Sequence, residues 1–456
     1  MASTKLRFPE TLVLTLALIV CAQLATYFLP SGEFERAVVD GRARVVPGTF
    51  HALEAAPLPW HAALTRIPLG MERAAEVIFF VLICGGVVGV LKASGAVDAL
   101  LAAVLARLGG RPVLLIAGMT AVLSVGAATI GMAEEYVPFV PILAAACAAL
   151  GFDAIVAVGM VYVAAGIGYA AAPHNPFTVL IAQRIAGLEP NSGAGFRWIL
   201  WGIAISVGIL YLARYALRVR RDAGSSYMAG VEPWRPPSGE VPALRRGQAV
   251  LLALFGVAIA LFVWGCAVHT WGLVELSAIF LAVALAAVPL CAMTPNFAAR
   301  EFSRGAAEMT NTALLIGFAK TIQVLLEEGH VIDAVVQALA APLEGLGPSV
   351  AAVGMLGVQS LTNLFIPSGS AQASVTMPLM APLGDLVGVS RQVAVLAFQC
   401  GDGLTNMLIP TNAVLMGVLA LGRVPYTAWL RFILPLAALL FALFAAALVV
   451  ANRLGI

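Results

Sequence analysis

The sequence predicts an all-α polytopic membrane protein built from two inverted-topology repeats, and three observations carry that expectation. Of 456 residues, 61% are hydrophobic and 11% charged, against about 25% charged in an ordinary soluble domain. The chain therefore lacks the residues for a water-facing skin. Apolar runs of about 20 residues recur, the length an α-helix needs to cross a ~30 Å hydrocarbon layer. The two halves also match each other at a nearly constant offset of about 235 residues, the signature of an internal repeat. A net charge of +2 with no basic cluster among aromatics gives no sign of nucleic-acid binding. The bilayer and a small-molecule substrate are the partners this composition suits.

Residues 1–70 hold a first spanning helix, TLVLTLALIVCAQLATYFLP, and an outer segment. Lys5 and Arg7 place the N-terminus in the cytoplasm by the positive-inside rule. The run is long enough to span and no A-x-A-like cleavage site follows it, so it reads as an uncleaved helix. FERAVVDGRARVV alternates around Asp40-Gly41, which predicts a small extracytoplasmic β-hairpin.

Residues 71–220 form the first repeat: a span near 72–92, an amphipathic stretch (96–110), an apolar block (about 111–150) and a helix (about 153–187), then a span over 196–217. The block is interrupted by GMAEE and reads as a re-entrant helical hairpin with a polar tip; the helix is broken at GIGYAAAPHNPF. Residues 221–246 extend the run of Arg218, Arg220 and Arg221 to Arg235, Arg245 and Arg246, a cytoplasmic linker. Residues 247–304 supply a scaffold helix pair, near 247–268 and 272–293, with Arg300 and Arg304 back inside. The second repeat, 305–456, has a helix near 308–328, an amphipathic stretch (331–344), a second hairpin (about 347–386), a second broken helix (about 390–422) and a last helix (427–451) that leaves the C-terminus outside.

Gly70 pairs with Gly305, Asp98 with Asp333, Pro141 with Pro378 and Gly151 with Gly388. Gly166 and Gly168 fall on Gly401 and Gly403, and HNPF (174–177) falls near IPTN (409–412). Charge gives the handedness of the repeat. The first amphipathic stretch is flanked by Lys92, Arg107 and Arg111, whereas its partner carries Glu327, Glu328, Asp333 and Glu344, so the halves face opposite sides. Inverted repeats let one site open to either side with equivalent packing. Helix breaks are tolerated in a bilayer only where protein or a water-filled cavity surrounds them. Together these features point to a secondary transporter with its site where four breaks converge.

The residue types at those breaks define the candidates. For substrate they are Glu134, Glu135, Asn175, Asn363, Ser368, Gly369, Ser370, Asn406, Thr411 and Asn412. For a coupling ion they are Ser124, Gly131, Gly168, Ser360, Thr362, Asn363, Asp402, Gly403, Thr405 and Asn406. Hydroxyl, amide and freed carbonyl oxygens suit a hard cation, and N–H groups at a half-helix N-terminus suit a carboxylate. Back-bonding within helices and close helix packing are the structural alternatives for the Ser, Thr and Gly. Glu134, Glu135 and Asp402 are intramembrane acids, which default to function; pairing with Lys320 or Arg184 is their structural alternative. His174 suits either proton relay or a structural hydrogen bond. The six cysteines lie in apolar stretches without ligand spacing, so no metal or cofactor is expected beyond Na⁺ or H⁺ as coupling ion. No GxSG, HExxH or Walker A motif supports an enzyme or an ATP-driven pump.

The motifs LFIPSGSAQASVTMPLMAPLGDL, AFQCGDGLTNMLIPTNAVLM, GMAEEYVPFVPIL and GIGYAAAPHNPF, with RFPETLVL and PSGEFER near the start, resemble the YfcC-type carriers of the ion transporter superfamily. That group is associated with basic amino-acid antiport or four-carbon dicarboxylate transport. The resemblance implies a homodimer in which a transport domain moves against a scaffold. Sodium-coupled dicarboxylate carriers of the superfamily have Ser-Asn-Thr tips on both hairpins. Here the second tip keeps a related set, Ser360, Thr362 and Asn363 followed by Pro-Ser-Gly-Ser, while the first carries GMAEE. Two carboxylates at one tip and neutral donors at the other suit an amino acid better than a dianion. Its carboxylate would sit at Ser368–Ser370 and its amino or guanidino group near Glu134 and Glu135, either of which is equally suited to carry a coupling proton.

Overall fold

The computed structural model describes residues 11–39, 42–46, 48–54, 58–97, 99, 111–129, 131–137, 139–228, 231, 234, 245–269, 271, 273–343 and 345–456. The expected turn at Asp40-Gly41, Asp98, most of the stretch 96–110, Glu344 and most of the linker arginine segment lie outside the described residues. Among the described residues six helices are long and apolar enough to cross a membrane.

The chain opens with α1 (Thr11–Phe28) and a strand-forming segment. There β1 (Gly32–Glu33) pairs antiparallel with β4 (His51–Ala52), and β2 (Arg36–Val39) with β3 (Arg42–Val45) in the register Arg36↔Val45, Val39↔Arg42. Short helices α2 (Ala62–Thr65) and α3 (Ile67–Arg73) lead to α4 (Ala75–Ala93). The span expected near 72–92 is α4, long and apolar enough to cross a membrane, and it is set off from α3 at Ala74, whose backbone (φ −101°, ψ 6°) leaves the helical region. The strand segment is anchored by Asp333, at the start of α14 (Val331–Ala340), which accepts from Arg36 Nη2 (2.8 Å and 3.0 Å) and from the Phe34 backbone N–H (3.1 Å).

The first interrupted block comprises α5 (Pro112–Thr129) and α6 (Phe139–Ala149), separated by a 3₁₀ turn at Glu134–Tyr136. Next come α7 (Ala154–Ala170), α8 (Val179–Ile185) and α9 (Ala194–Arg221). The framework helices are α10 (Arg246–His269), α11 (Leu273–Leu290), α12 (Pro295–Glu308) and α13 (Thr310–Glu328). The second half continues with α15 (Pro348–Thr362), α16 (Gly369–Val387), α17 (Arg391–Asn406), α18 (Ala413–Gly422) and α19 (Tyr426–Leu454). The helix α12 is an element the apolar-run reading leaves as a connection. Its pattern is amphipathic rather than apolar, and its start is marked by Thr294, whose hydroxyl accepts from the Phe297 N–H (3.3 Å), with Pro295 in the first turn.

Two crossings set the interior. The helices α7 and α17 are almost wholly buried and pass each other at bare backbone. A Cβ on Gly403 would lie 2.2 Å from the Ala170 nitrogen, and one on Gly166 would lie 2.2 Å from Met407 Cγ. Gly166, Gly168, Gly401 and Gly403 therefore lie inside helices, not at the breaks where the sequence reading puts them: Gly166 and Gly403 mark this crossing, while Gly168 packs on Ala127 and Ser124 of α5 and Gly401 on Gln359 and Ser360 of α15. The breaks themselves fall later, at 171–178 and 407–412. The second crossing joins α4 to α12, where a Cβ on Gly305 would lie 2.2 Å from the Gly85 carbonyl oxygen.

Replacing Gly305 by valine forces backbone apart from backbone, an overpacking cost of about 1–3 kcal/mol or more. A thermal melt in detergent is expected to show a clear fall in Tm. Gly118→Ala, where nothing lies within 4 Å of the added carbon, is expected to leave Tm unchanged or slightly raised, since alanine is the better helix former.

Candidate functional site

In the second half, α15 ends at Thr362 and the chain turns through Asn363 before α16 begins. The helix α17 ends at Asn406, and α18 starts after Asn412. Three asparagines tie this turn to this break. Asn363 Nδ2 donates to the Asp402 carbonyl (3.0 Å) and to Asn406 Oδ1 (3.0 Å). Asn406 Nδ2 donates to Asp402 Oδ1 (3.0 Å), and Asn412 Nδ2 donates to Asn406 Oδ1 (2.8 Å). Asn412 Oδ1 caps α18 by accepting from the Leu415 N–H (2.9 Å), and it also accepts from Tyr162 Oη (2.8 Å). Thr411 Oγ1 donates to the Leu364 carbonyl (3.2 Å). Thr405 Oγ1 instead closes on its own helix, at Gly401 O (2.7 Å). The oxygens Ser360 Oγ, Thr362 Oγ1 and Asn363 Oδ1 are buried without a protein partner, an arrangement native interiors rarely tolerate unless another ligand is accommodated.

The first half uses the same devices with different residues. Asn175 Nδ2 donates to the Ala127 carbonyl (3.1 Å), while its Oδ1 accepts from the Phe177 and Thr178 N–H groups (2.9 and 3.2 Å). Gly131 turns the tip at φ +80°, and a Cβ there would meet the Phe177 ring at 2.6 Å, so glycine is required twice over. Tyr169 donates to the Gly131 carbonyl. Ser124 Oγ accepts from Trp201 Nε1 (3.0 Å), and Gly168 packs against the Ser124 carbonyl. Glu134 and Glu135 are half-buried. Glu135 Oε2 accepts from the Ala133 N–H (2.8 Å), and among the described residues no lysine or arginine forms an ion pair with either acid. Lys320 Nζ turns to Gln323 Oε1 (2.8 Å), and Arg184 is exposed. His174 has both ring nitrogens engaged, Nδ1 with Asn191 Oδ1 (2.9 Å) and Nε2 with Trp198 Nε1 (3.1 Å).

The four interruptions meet. A Cβ on Gly369, at the start of α16, would lie 2.5 Å from Thr178 Cγ2 of the first break and 3.0 Å from Asp402 Oδ2 of α17. Tyr169 lies within electrostatic range of Glu134, Glu135 and Asp402 together. Ser368, Gly369 and Ser370 are half-buried here, and no side chain caps the first turn of α16, which leaves backbone N–H groups available to an anion. The site thus offers Glu134 and Glu135 at one tip and, at the other, a helix N-terminus with Asp402 beside it.

Sequence reasoning missed four participants. Tyr162 and Tyr169 sit in an apolar run, where a tyrosine reads as core. Arg197 is buried, with 1% exposure, and donates to Gln399 Oε1 (3.0 Å), Gln392 Oε1 (2.8 Å) and the Ser192 carbonyl (2.9 Å). Gln399 passes that anchor to the first break through the Ala172 carbonyl (2.8 Å). Its spacing of three residues from Asp402 places both on one face of α17, the one signal that pointed to it.

A family model described as "DcuC: C4-dicarboxylate anaerobic carrier" matches residues 8–453. The chain belongs to the DcuC family. Membership in this carrier family makes it a multi-pass membrane transporter. A relative from Escherichia coli (strain K12), named "Putative basic amino acid antiporter YfcC", is 34% identical over 98% of this chain and 97% of its own. An uncharacterized protein of Haemophilus influenzae is 30% identical over 86% of this chain and 78% of its own. Among solved structures, the Alcanivorax borkumensis YdaH transporter aligns with TM-score 0.44 and 18% identity, covering 98% of this chain and 99% of that one. Neisseria gonorrhoeae MtrF, titled as one of a class of antimetabolite efflux pumps, aligns at 0.42 and 16%, covering 98% and 95%.

In this DcuC-family chain the Asn363–Asn406 contact is testable on its own. A double-mutant cycle of Asn363→Ala and Asn406→Ala, read by thermal or denaturant unfolding, is expected to give a coupling energy of about 0.5–3 kcal/mol. Additive losses would mean that the two side chains do not act together.

Proposed function

We propose that this transporter is a secondary carrier of small carboxylate-bearing metabolites, above all amino acids and basic ones in particular, driven by exchange or by a coupling ion. The observation that carries the reading is the juxtaposition of unpaired acids with an uncapped helix start. The carboxylate of an amino acid docks at Ser368–Ser370 on the first turn of α16, and its amino or guanidino group faces Glu134 and Glu135. A dianion would have to bring a second negative charge to those acids, a repulsive arrangement. The name of the Escherichia coli relative agrees with this assignment. The family description favours a second reading, a four-carbon dicarboxylate carrier.

Two inverted repeats, each with a re-entrant hairpin, account for contacts that recur with the halves exchanged. Asn175 and Asn412, one at each break, each accept from the N–H three residues ahead. Such a repeat supports alternating access by movement of the hairpins and broken helices against the framework, in a homodimer. The N-terminus is cytoplasmic and the C-terminus extracytoplasmic. For the coupling ion, Ser360, Thr362, Asn363 and Asp402 supply oxygen donors of the type Na⁺ takes, while Glu134 or Glu135 is suited to a proton.

Uptake into proteoliposomes loaded with unlabelled substrate tests this directly. Arginine and ornithine are expected to exchange and succinate is not; strong succinate uptake with none of the amino acids would overturn the assignment. If Glu134 or Glu135 carries the coupling proton, its Gln variant is expected to exchange substrate while failing to concentrate it.

A further inference from the structure

Apart from the four breaks, the described residues line an open cavity of about 530 Å³, within the range of small-molecule sites, roughly 300–1,000 Å³. One wall is α4 from Val81 to Ala93, and α12, α6 and the end of α18 close the others. Gly85, Gly89 and Gly305, where α4 and α12 touch, form part of its lining. The cavity has direction. At one end Lys92 and Arg423 hold the Trp234 ring between them, 5.9 and 5.0 Å from its centroid. From Lys92 to Val81 the α4 wall runs for about 16 Å. At the far end lie Cys84, which is within electrostatic reach of Glu135, and Val137, two residues beyond that acid.

The charges along the cavity alternate, with Glu301 beside Gly89 at the Lys92 end. Gly89 packs against the Glu301 carbonyl and Gly85 against Met309, so α12 runs antiparallel to α4. Arg304 therefore stands nearer the Lys92 end and Glu308 nearer the Glu135 end. Among the described residues neither Arg304 nor Glu308 belongs to an ion pair. Both side chains are exposed and line this open cavity, where a solute entering from water can reach them.

We propose that this cavity is the cytoplasmic vestibule of the transport site, and that Glu308 is a specificity-determining residue in it, meeting the cationic end of the incoming substrate. The vestibule's sidedness follows from Lys92 and Arg423 at its mouth, on the same charge rule that puts Arg218, Arg220 and Arg221 of α9 inside. A zwitterion fits this alternation, its cationic end passing Glu301 to reach Glu308 while its carboxylate trails past Arg304 and Lys92. That choice of substrate rests on the amino-acid reading above; the vestibule itself does not.

The test separates the two. In a background with the six cysteines replaced by alanine, Val88→Cys places a thiol on the cavity wall. A membrane-impermeant methanethiosulfonate reagent is expected to label it in inside-out vesicles only, and labelled protein is expected to lose transport. Should the cysteine-free background not fold, Val88→Trp in the native chain fills the same space and is expected to abolish transport while the protein still elutes as a folded species. Labelling from the outer side alone, or full transport by labelled or Val88→Trp protein, would overturn the vestibule. For Glu308→Gln, the KM for arginine presented from the cytoplasmic side is expected to rise about tenfold, equivalent to ~1.4 kcal/mol, with kcat and the outer-side KM unchanged. Equal changes on both sides, or none, would remove Glu308 from recognition. If the wild type carries no arginine, the substrate reading fails while the sided labelling still decides the vestibule.

Discussion

A helix interrupted inside hydrocarbon leaves backbone N–H and C=O groups that water cannot reach, each costing several kcal/mol if unpaired. The rest of this architecture depends on how that constraint is met. Asn412 caps the helix that resumes and ties it back to Asn406, while Asn175 closes the turn before α8 on the Phe177 and Thr178 N–H groups and reaches the Ala127 carbonyl. An asparagine suits the position because its oxygen accepts while its amide donates. The remaining groups can be satisfied only if the breaks meet, and they meet because α7 and α17 cross at glycine, where helix axes approach most closely.

The same geometry sets the electrostatics. Glu134, Glu135 and Asp402 share the neighbourhood of Tyr169, and the partners that hold them are amides and backbone N–H groups. Arg197 is a buried cation held by neutral oxygens of Gln392, Gln399 and Ser192. Burying an ion is expensive unless its donors are satisfied, and here the satisfied guanidinium joins the start of α9 to α17 and, through Gln399, to the first break. That network is a frame for the site, built at the position where it must not deform.

Much of this was legible in the sequence, for reasons that differ by residue. Apolar length, with GMAEE and PSGS interrupting it, located the two helix interruptions, between Thr129 and Phe139 and between Thr362 and Gly369, because polar residues in mid-run are costly against hydrocarbon. The Asn363, Asn406 and Asn412 cluster was legible from its density beside glycine and proline. The role of Gly166 and Gly403 was not, since a glycine at a break and a glycine at a crossing look alike until the facing helix is known. The helix α12 was hidden by its charges, which a search for apolar runs reads as a loop. Tyr162, Tyr169, Arg197 and the α4–α12 cavity depend on which helices lie side by side, and helical periodicity gives a face without naming its neighbour.

The central claim is that both halves contribute breaks to one substrate site. A cryo-EM map of the protein in lipid nanodiscs, saturated with the substrate that a transport screen returns, tests it most directly. The account requires ligand density between the Glu134–Glu135 tip and the first turn of α16, within hydrogen-bonding reach of both. Density confined to one half, with the other tip remote from the ligand, would contradict it.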